Sequence, residues 1–507
     1  MKRLPLLLLL VATAAPGQQV TLTKEDRAAE SSLLASFGLK ASPLLEHPYR
    51  IPFSNRSLIV PQAWLREAIG EKKTTLAADL LRQDLPLLQA VMAKNYAGWR
   101  HAAARGWNWA QWFENWDRLL VRHEGENLSL ADALEPLAEL EDFLPDNNSG
   151  PVADIYFGSG SRSATLRSAP TGPCVSMRMR SAKFFAIDAK DLGQQPRKAL
   201  LADLATTVWY VSYPAKRGDI GAVRCGNRWI EADPAWEPRG QRRERNILEL
   251  SQKERDVPSF RVLTPRISYL RLPTGDKLNE RRMDRLISAL PGPIGREELL
   301  IWDLRSNGGG DPYLVALKRW LDPEMVEKLA LPRTVRRSCL SAALQWNAEW
   351  FALSGVKPPL TEETETRLQA LADGVARLGP PGCPDTVDVE KSEWNYSQRT
   401  IPTHARFLVL VDNRCGSDCE EMVNLLASDP GTVVAGVNTY GACQYVLPGY
   451  FVLPNSRLAF RTALGTTNVY GDNRSVDGYG LNVDVLLRTM EDQSPAGILK
   501  LAEALLH

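Results

Sequence analysis

The sequence predicts an α/β fold. Two short apolar runs each end in a turn, and the second turn opens an amphipathic helix. Leu299-Leu300-Ile301-Trp302 leads into Asp303-Leu304-Arg305-Ser306-Asn307-Gly308-Gly309-Gly310. A short apolar run bounded by turn residues suggests a strand buried on both faces, as in a parallel sheet. The triple glycine allows a sharp turn and lets backbone N–H groups face a ligand such as an oxyanion. Glycine clusters also serve as plain turns. Arg406-Phe407-Leu408-Val409-Leu410-Val411-Asp412 is the second strand pattern, followed by Asn413-Arg414-Cys415-Gly416-Ser417-Asp418-Cys419-Glu420. Met422, Val423, Leu425 and Leu426 then recur at helical spacing.

The other elements follow in chain order. Lys2 and Arg3 precede the apolar stretch Leu4 to Val11, and Ala12-Thr13-Ala14 supplies small residues for cleavage. This is the pattern of a secretory signal peptide over residues 1–17, implying an extracytoplasmic (periplasmic or secreted) chain. No later stretch is long and apolar enough to be a transmembrane segment. Residues 20–148 read as a helical N-terminal domain. Trp109, Trp112 and Trp116 fall at i, i+3 and i+7, with Trp99 and Trp107 nearby. Such a stripe suits core packing better than a ligand platform. Asn148-Ser149-Gly150-Pro151 breaks the pattern, and 150–262 reads as a β-rich intermediate region. Residues 263–507 read as the α/β core, carrying a helical insertion over 311–400 that would be a lid or decoration.

Composition narrows the function classes. A net charge of +1 over 507 residues gives no reason to expect nucleic acid or an anionic membrane as partner. The seven cysteines form no C-x-x-C pair, and only five histidines exist, so no metal site is expected. In an oxidising compartment the cysteines read as disulfides, with the odd count leaving at least one thiol. No cofactor is implied, and one chain's sequence does not set the oligomeric state.

Ser417 sits where a strand turns into a helix. Ser-x-x-Glu before an apolar helix is a capping box, with Ser417 as N-cap and Glu420 at N3. A serine at a helix N-terminus also suits a nucleophile, near backbone donors and the positive end of the helix dipole.

Together these segments resemble the S41 peptidases, the C-terminal (tail-specific) processing proteases and their tricorn-like relatives. Asp303 to Gly310 resembles the family's Asp-Leu-Arg-x-Asn-x-Gly-Gly, and Gly416 to Glu420 its nucleophile turn. Ile267 to Leu272, Val433 to Gly436 with Thr439-Tyr440-Gly441, Leu453 to Ser456 and Asp477 to Asp484 follow in the family's order. The resemblance implies a ClpP/crotonase-like catalytic core, a peptide or unfolded-protein substrate and acyl transfer through Ser417. It further implies an oxyanion hole from the Gly309 and Asp418 backbone, with Asp477 orienting a base or water. The family's bases are missing. The lysine of one branch falls at Ala442, and the histidine of the PDZ-less tricorn-like branch falls at Asn148. A catalytically impaired homologue that binds peptides or proteins is the alternative. Cys443, beside the lysine position, is expected to pair with Cys415 or Cys419.

Overall fold

The computed structural model describes residues 74–143, 150–151, 161–187, 195–215, 218–234, 257–274, 298–310, 333–337, 386–390, 405–427, 429–466 and 476–507, with the isolated residues 282, 285 and 286. The signal-peptide segment, Asn148, Cys339, Cys383 and most of the 311–400 insertion lie outside them. The insertion's described parts are two short strands, Arg333–Arg337 and Thr386–Glu390. The chain divides into two compact units: 1–157 with 335–388 and 445–466, and 158–334 with 389–444 and 467–507.

The first unit is mostly helical: α1 Ala78–Asn95, α2 Gly98–Ala104, α3 Trp109–Arg122, α4 Leu130–Ala133 and α5 Glu135–Phe143. Asn108 caps α3 by accepting the Gln111 N–H. The tryptophan stripe of α3 is core. Trp109, Trp112 and Trp116 are all buried. Each indole N–H donates to a backbone carbonyl at 2.9 Å, of Trp99, Pro136 and Ala133 respectively. Such pairing lets an indole be buried without an orphaned donor. A hairpin of Tyr445–Val452 and Ala459–Thr466 completes the unit. Its turn is held by Asp84 of α1, fully buried, which accepts from the Ser456 N–H (2.8 Å), the Ser456 hydroxyl (2.6 Å) and the Asn455 N–H (3.2 Å).

The second unit is built on a thirteen-stranded mixed sheet. Its strands are β1 Ser161–Leu166, β2 Cys174–Met179, β3 Phe184–Ala186, β4 Arg197–Leu201, β5 Thr207–Pro214, β6 Ile220–Cys225 and β7 Arg228–Pro234. They continue with β8 Ser259–Thr264, β9 Ile267–Arg271, β10 Leu299–Asp303, β11 Arg406–Val411, β12 Val433–Gly436 and β13 Val485–Leu486. The spatial order is β8-β9-β10-β11-β12-β13-β4-β5-β1-β7-β6-β2-β3. From β9 through β4 every neighbouring pair is parallel. The β-rich region thus shares one sheet with the core, joined where Val485 and Leu486 face Leu200 and Leu201.

Two helices explain why Leu299–Trp302 of β10 and Phe407–Val411 of β11 are apolar on both faces. Leu300, Trp302, Phe407 and Val409 share a cluster with Met422, Val423 and Leu426 of α6, Asp418–Leu426. The alternate residues Leu299, Ile301, Leu408 and Leu410 share another with Ile498, Leu501 and Ala502 of α7, Pro495–Ala504. Successive side chains point to opposite faces, and both faces are covered. Among the described residues, no helix is long and apolar enough to cross a membrane.

Disulfides join Cys174 to Cys225 and Cys415 to Cys419, while Cys443 is a buried thiol outside any disulfide. The expected bond from Cys443 to Cys415 or Cys419 is therefore wrong. Cys415 and Cys419 flank the start of α6 with Cα atoms 5.4 Å apart, a separation suited to a bridge, and each takes up the other. The Cys443 Sγ instead lies 3.6 Å from Glu421 Oε1.

Replacing Trp116 with Ala removes a fully buried ring and leaves the Ala133 carbonyl without its indole donor. We expect a loss of about 3–5 kcal/mol in the first unit's stability, read from its denaturant midpoint. Trp116→Phe should cost less, since a ring still fills most of the space. Equal midpoints for all three proteins would contradict this packing.

Candidate active site

The site lies at the C-terminal ends of β10 and β11. Asp303, at the end of β10, is fixed by a buried charge cluster. Its carboxylate accepts two bonds from the Arg305 guanidinium (2.9 and 2.7 Å), one from the Arg305 N–H (3.1 Å) and one from the Tyr269 hydroxyl (2.8 Å). Arg271 Nη1 lies 3.4 Å away. Burial opposes the charge of Asp303, but the Arg305 and Arg271 guanidiniums outweigh it and hold the carboxyl well below its ordinary range. The Tyr269 hydroxyl is pushed up, first by burial and then by the Asp303 charge.

Asp412, at the end of β11, fastens the two loops to each other. It accepts from the Ser306 N–H at 2.9 Å and the Arg414 N–H at 3.0 Å. The Gly416 N–H donates to the Asn307 carbonyl at 3.1 Å. These ties bring Gly309 against Ser417. Gly309 has φ +85°, and a Cβ there would stand 2.6 Å from the Gly416 oxygen, 2.7 Å from the Ser417 Cβ and 2.9 Å from the Asp418 nitrogen. Only glycine fits both the backbone angle and the gap. The Gly309 N–H donates to Asn307 Oδ1 at 2.9 Å.

Ser417 itself has φ +55°, in the left-handed region that costs a non-glycine residue about 1–2 kcal/mol. An N-cap residue has extended backbone and accepts through its side chain. Ser417 does neither. Its carbonyl accepts the Glu420 N–H at 2.8 Å, and its hydroxyl has no hydrogen-bond partner among the described residues. The capping box is half formed, because the Glu420 carboxylate does accept the Ser417 N–H.

Glu420 is the residue whose main role the sequence reading missed. It is fully buried and also accepts from the Thr439 hydroxyl, the Gly441 N–H (2.8 Å) and the Ala442 N–H (2.7 Å). It therefore clamps the Ser417 turn to the segment after β12. The sequence signal was the pair of motifs themselves, Ser-x-x-Glu and Thr-x-Gly, which gave no hint that they bond to each other. Asp477, also buried, accepts from the Cys443 N–H at 2.8 Å and the Gln444 N–H at 2.7 Å. Ala442, where the resemblance would put a lysine, is buried and carries no titratable atom. Asn148 lies outside the described residues. His123 pairs with Glu126 at 2.8 Å in the first unit, beside the end of α3. Among the described residues no three metal-ligating side chains gather.

No family model matches the chain, and no curated protein matches it. Among solved structures it is similar to mature CPAF, at 16% identity and TM-score 0.41 over 85% of this chain and 97% of that one. It is similar to the photosystem II D1 C-terminal processing protease, at 12% identity and TM-score 0.34 over 84% and 96%. It is also similar to the tricorn protease, at 12% identity and TM-score 0.37 over 85% and 37%. These structures are S41 proteases. Their likeness is one of chain path; the chemistry of the site follows from its own residues.

Burial pushes the Glu420 carboxyl up to about 7 from an ordinary 4.5, against the donors that favour its charge. Its contribution to stability is fully present below the unfolded value and is lost as pH rises through the folded one. Between pH 4.5 and 7 the wild type should lose about 3 kcal/mol that Glu420→Gln does not. Denaturant midpoints of the two proteins across that range test this; parallel curves would remove Glu420 as the titrating group.

Proposed function

We propose that this chain is an extracytoplasmic serine peptidase of the S41 type, working by acyl transfer through Ser417. The observation that carries the reading is the state of Ser417. It is held in a left-handed turn at the start of α6, with Gly309 in contact. Structural capping does not account for that conformation, and strained backbone gathers where function requires it. The parallel strands β10 and β11, followed by α6, support a ClpP/crotonase-like core for the second unit.

In the proposed reaction the Ser417 Oγ attacks a peptide carbonyl carbon and loses its proton to a base. The Asp418 and Gly309 N–H groups donate to the developing oxyanion. Because the Gly309 N–H is held by Asn307, the substrate oxygen must displace the Asn307 carboxamide. The amine leaves with a proton, and water then hydrolyses the acyl ester and regenerates the serine. Asp477 contributes by orienting a base or water and by holding the turn at Cys443 and Gln444.

The second reading is a catalytically impaired homologue that binds peptides or proteins in the same cleft. The unpartnered Ser417 hydroxyl favours it, since no lysine or histidine nitrogen reaches that oxygen among the described residues. A missing general base costs about 10²–10⁴ in rate.

Hydrolysis of an unstructured peptide pool separates the two. We expect slow wild-type turnover, slow labelling by serine-reactive phosphonates, and loss of both in Ser417→Ala. Asn148→His should raise turnover by about tenfold or more, and Ala442→Lys by less, if a base is what the site lacks. Fast wild-type cleavage abolished by Ser417→Ala would reject the impaired reading. Cleavage untouched by Ser417→Ala would remove Ser417 from the mechanism.

A further inference from the structure

The end of the sheet farthest from β8 carries an aromatic and cationic surface that the peptidase reading does not use. Strands β3, β2, β6 and β7 lie side by side there. Met177, Val223 and Ile230 point into one buried cluster, and Phe185 packs against it. Residues adjacent to these in the chain therefore point to the opposite face. Register aligns Phe184, Arg178, Ala222 and Glu231 in one row of that face. Ser176, Arg224 and Trp229 form the next.

The aromatic side chains in these rows converge. The Phe184 and Trp229 rings are 6.0 Å apart, and the Arg178 guanidinium lies 5.2 Å from the centre of the Trp229 ring. Phe184 is 63% exposed and Trp229 38%. Large apolar groups this open, gathered rather than scattered, mark an interaction site. Aromatic residues and arginine are also the types that anchor interfaces.

The charge around them has one sign in excess. On that side Arg224 and, just past β2, Arg180 are exposed and form no ion pair among the described residues. The acids nearby are engaged: Asp233 by Arg167 at 2.9 Å, and Glu231 by Arg178 at 3.5 Å. The Cys174–Cys225 disulfide links β2 to β6 directly, where the two cysteines are register partners. The platform is therefore pre-organised, and a partner that docks on it orders little of this chain.

We infer that the outward face of β3, β2, β6 and β7 is a docking site for an extended acidic peptide segment bearing aromatic side chains. Its carboxylates would meet Arg224 and Arg180, and its rings would stack on Phe184 and Trp229. The inference is independent of the chemistry at Ser417 and holds for an active or an inactive protein.

The test is fluorescence anisotropy of a short labelled peptide alternating glutamate and tyrosine, titrated with the full chain. Ser417→Ala serves as background so that cleavage does not interfere. Binding should quench or shift Trp229 emission and weaken as salt screens the charges. Trp229→Ala and Arg224→Glu, both at exposed positions, should each weaken it by about tenfold. A peptide with lysine in place of glutamate should not bind. Lack of binding, or equal binding by wild type and both variants, would overturn the inference. Tighter binding of a single-stranded RNA oligomer than of the acidic peptide would overturn it in favour of nucleic acid. A concentration-dependent dimer that Trp229→Ala abolishes would overturn it in favour of a second copy of this chain.

Discussion

The close approach of the backbone at Gly309 to the turn at Ser417 is the constraint on which the candidate site depends. No side chain fits the gap, because its first carbon would stand 2.6 Å from the Gly416 oxygen. Everything around it serves to hold two loops at that separation. Asp303 fixes the base of the first loop through Arg305 and Tyr269, and Asp412 fastens the first loop to the second. Burying a carboxylate is costly unless its partners are well placed. Here the same partners that compensate the charge also set the path of the loop, so electrostatics and geometry are one device.

Much of this was legible in the sequence because it is local. The apolar runs at 299–302 and 406–411 are strands, parallel and neighbouring, since residues buried on both faces need no alternation. The tryptophan stripe of α3 follows the helical period and is buried as expected. The turn glycines could be read because few other residues accept such backbone angles.

What could not be read depends on contacts between distant segments. A two-residue strand, Val485–Leu486, carries too little pattern to be recognised, yet it joins β4 to the parallel sheet. The pairing of Cys415 with Cys419 rather than Cys443 depended on which two atoms the first turn of α6 brings together. Ser417 matched a capping motif in sequence, and only its backbone angle separates it from a cap. Glu420 shared that ambiguity, and its bonds to Gly441 and Ala442 cross twenty residues of chain.

The segment after β12 has a particular way of being held. The amides of Gly441 and Ala442 donate to Glu420, and those of Cys443 and Gln444 donate to Asp477. Four consecutive backbone amides are thus each held by a buried carboxylate. Nothing in that anchorage reads the side chain at 442. The side chain at 442 is itself buried, so a larger or charged residue there would have to find room and a partner while the backbone anchors stay in place. The anchors fix where a residue at 442 stands, and burial limits which residues the fold accepts there. Position and packing are thus set separately at 442: the first by a carboxylate that holds the main chain, the second by the space around the side chain.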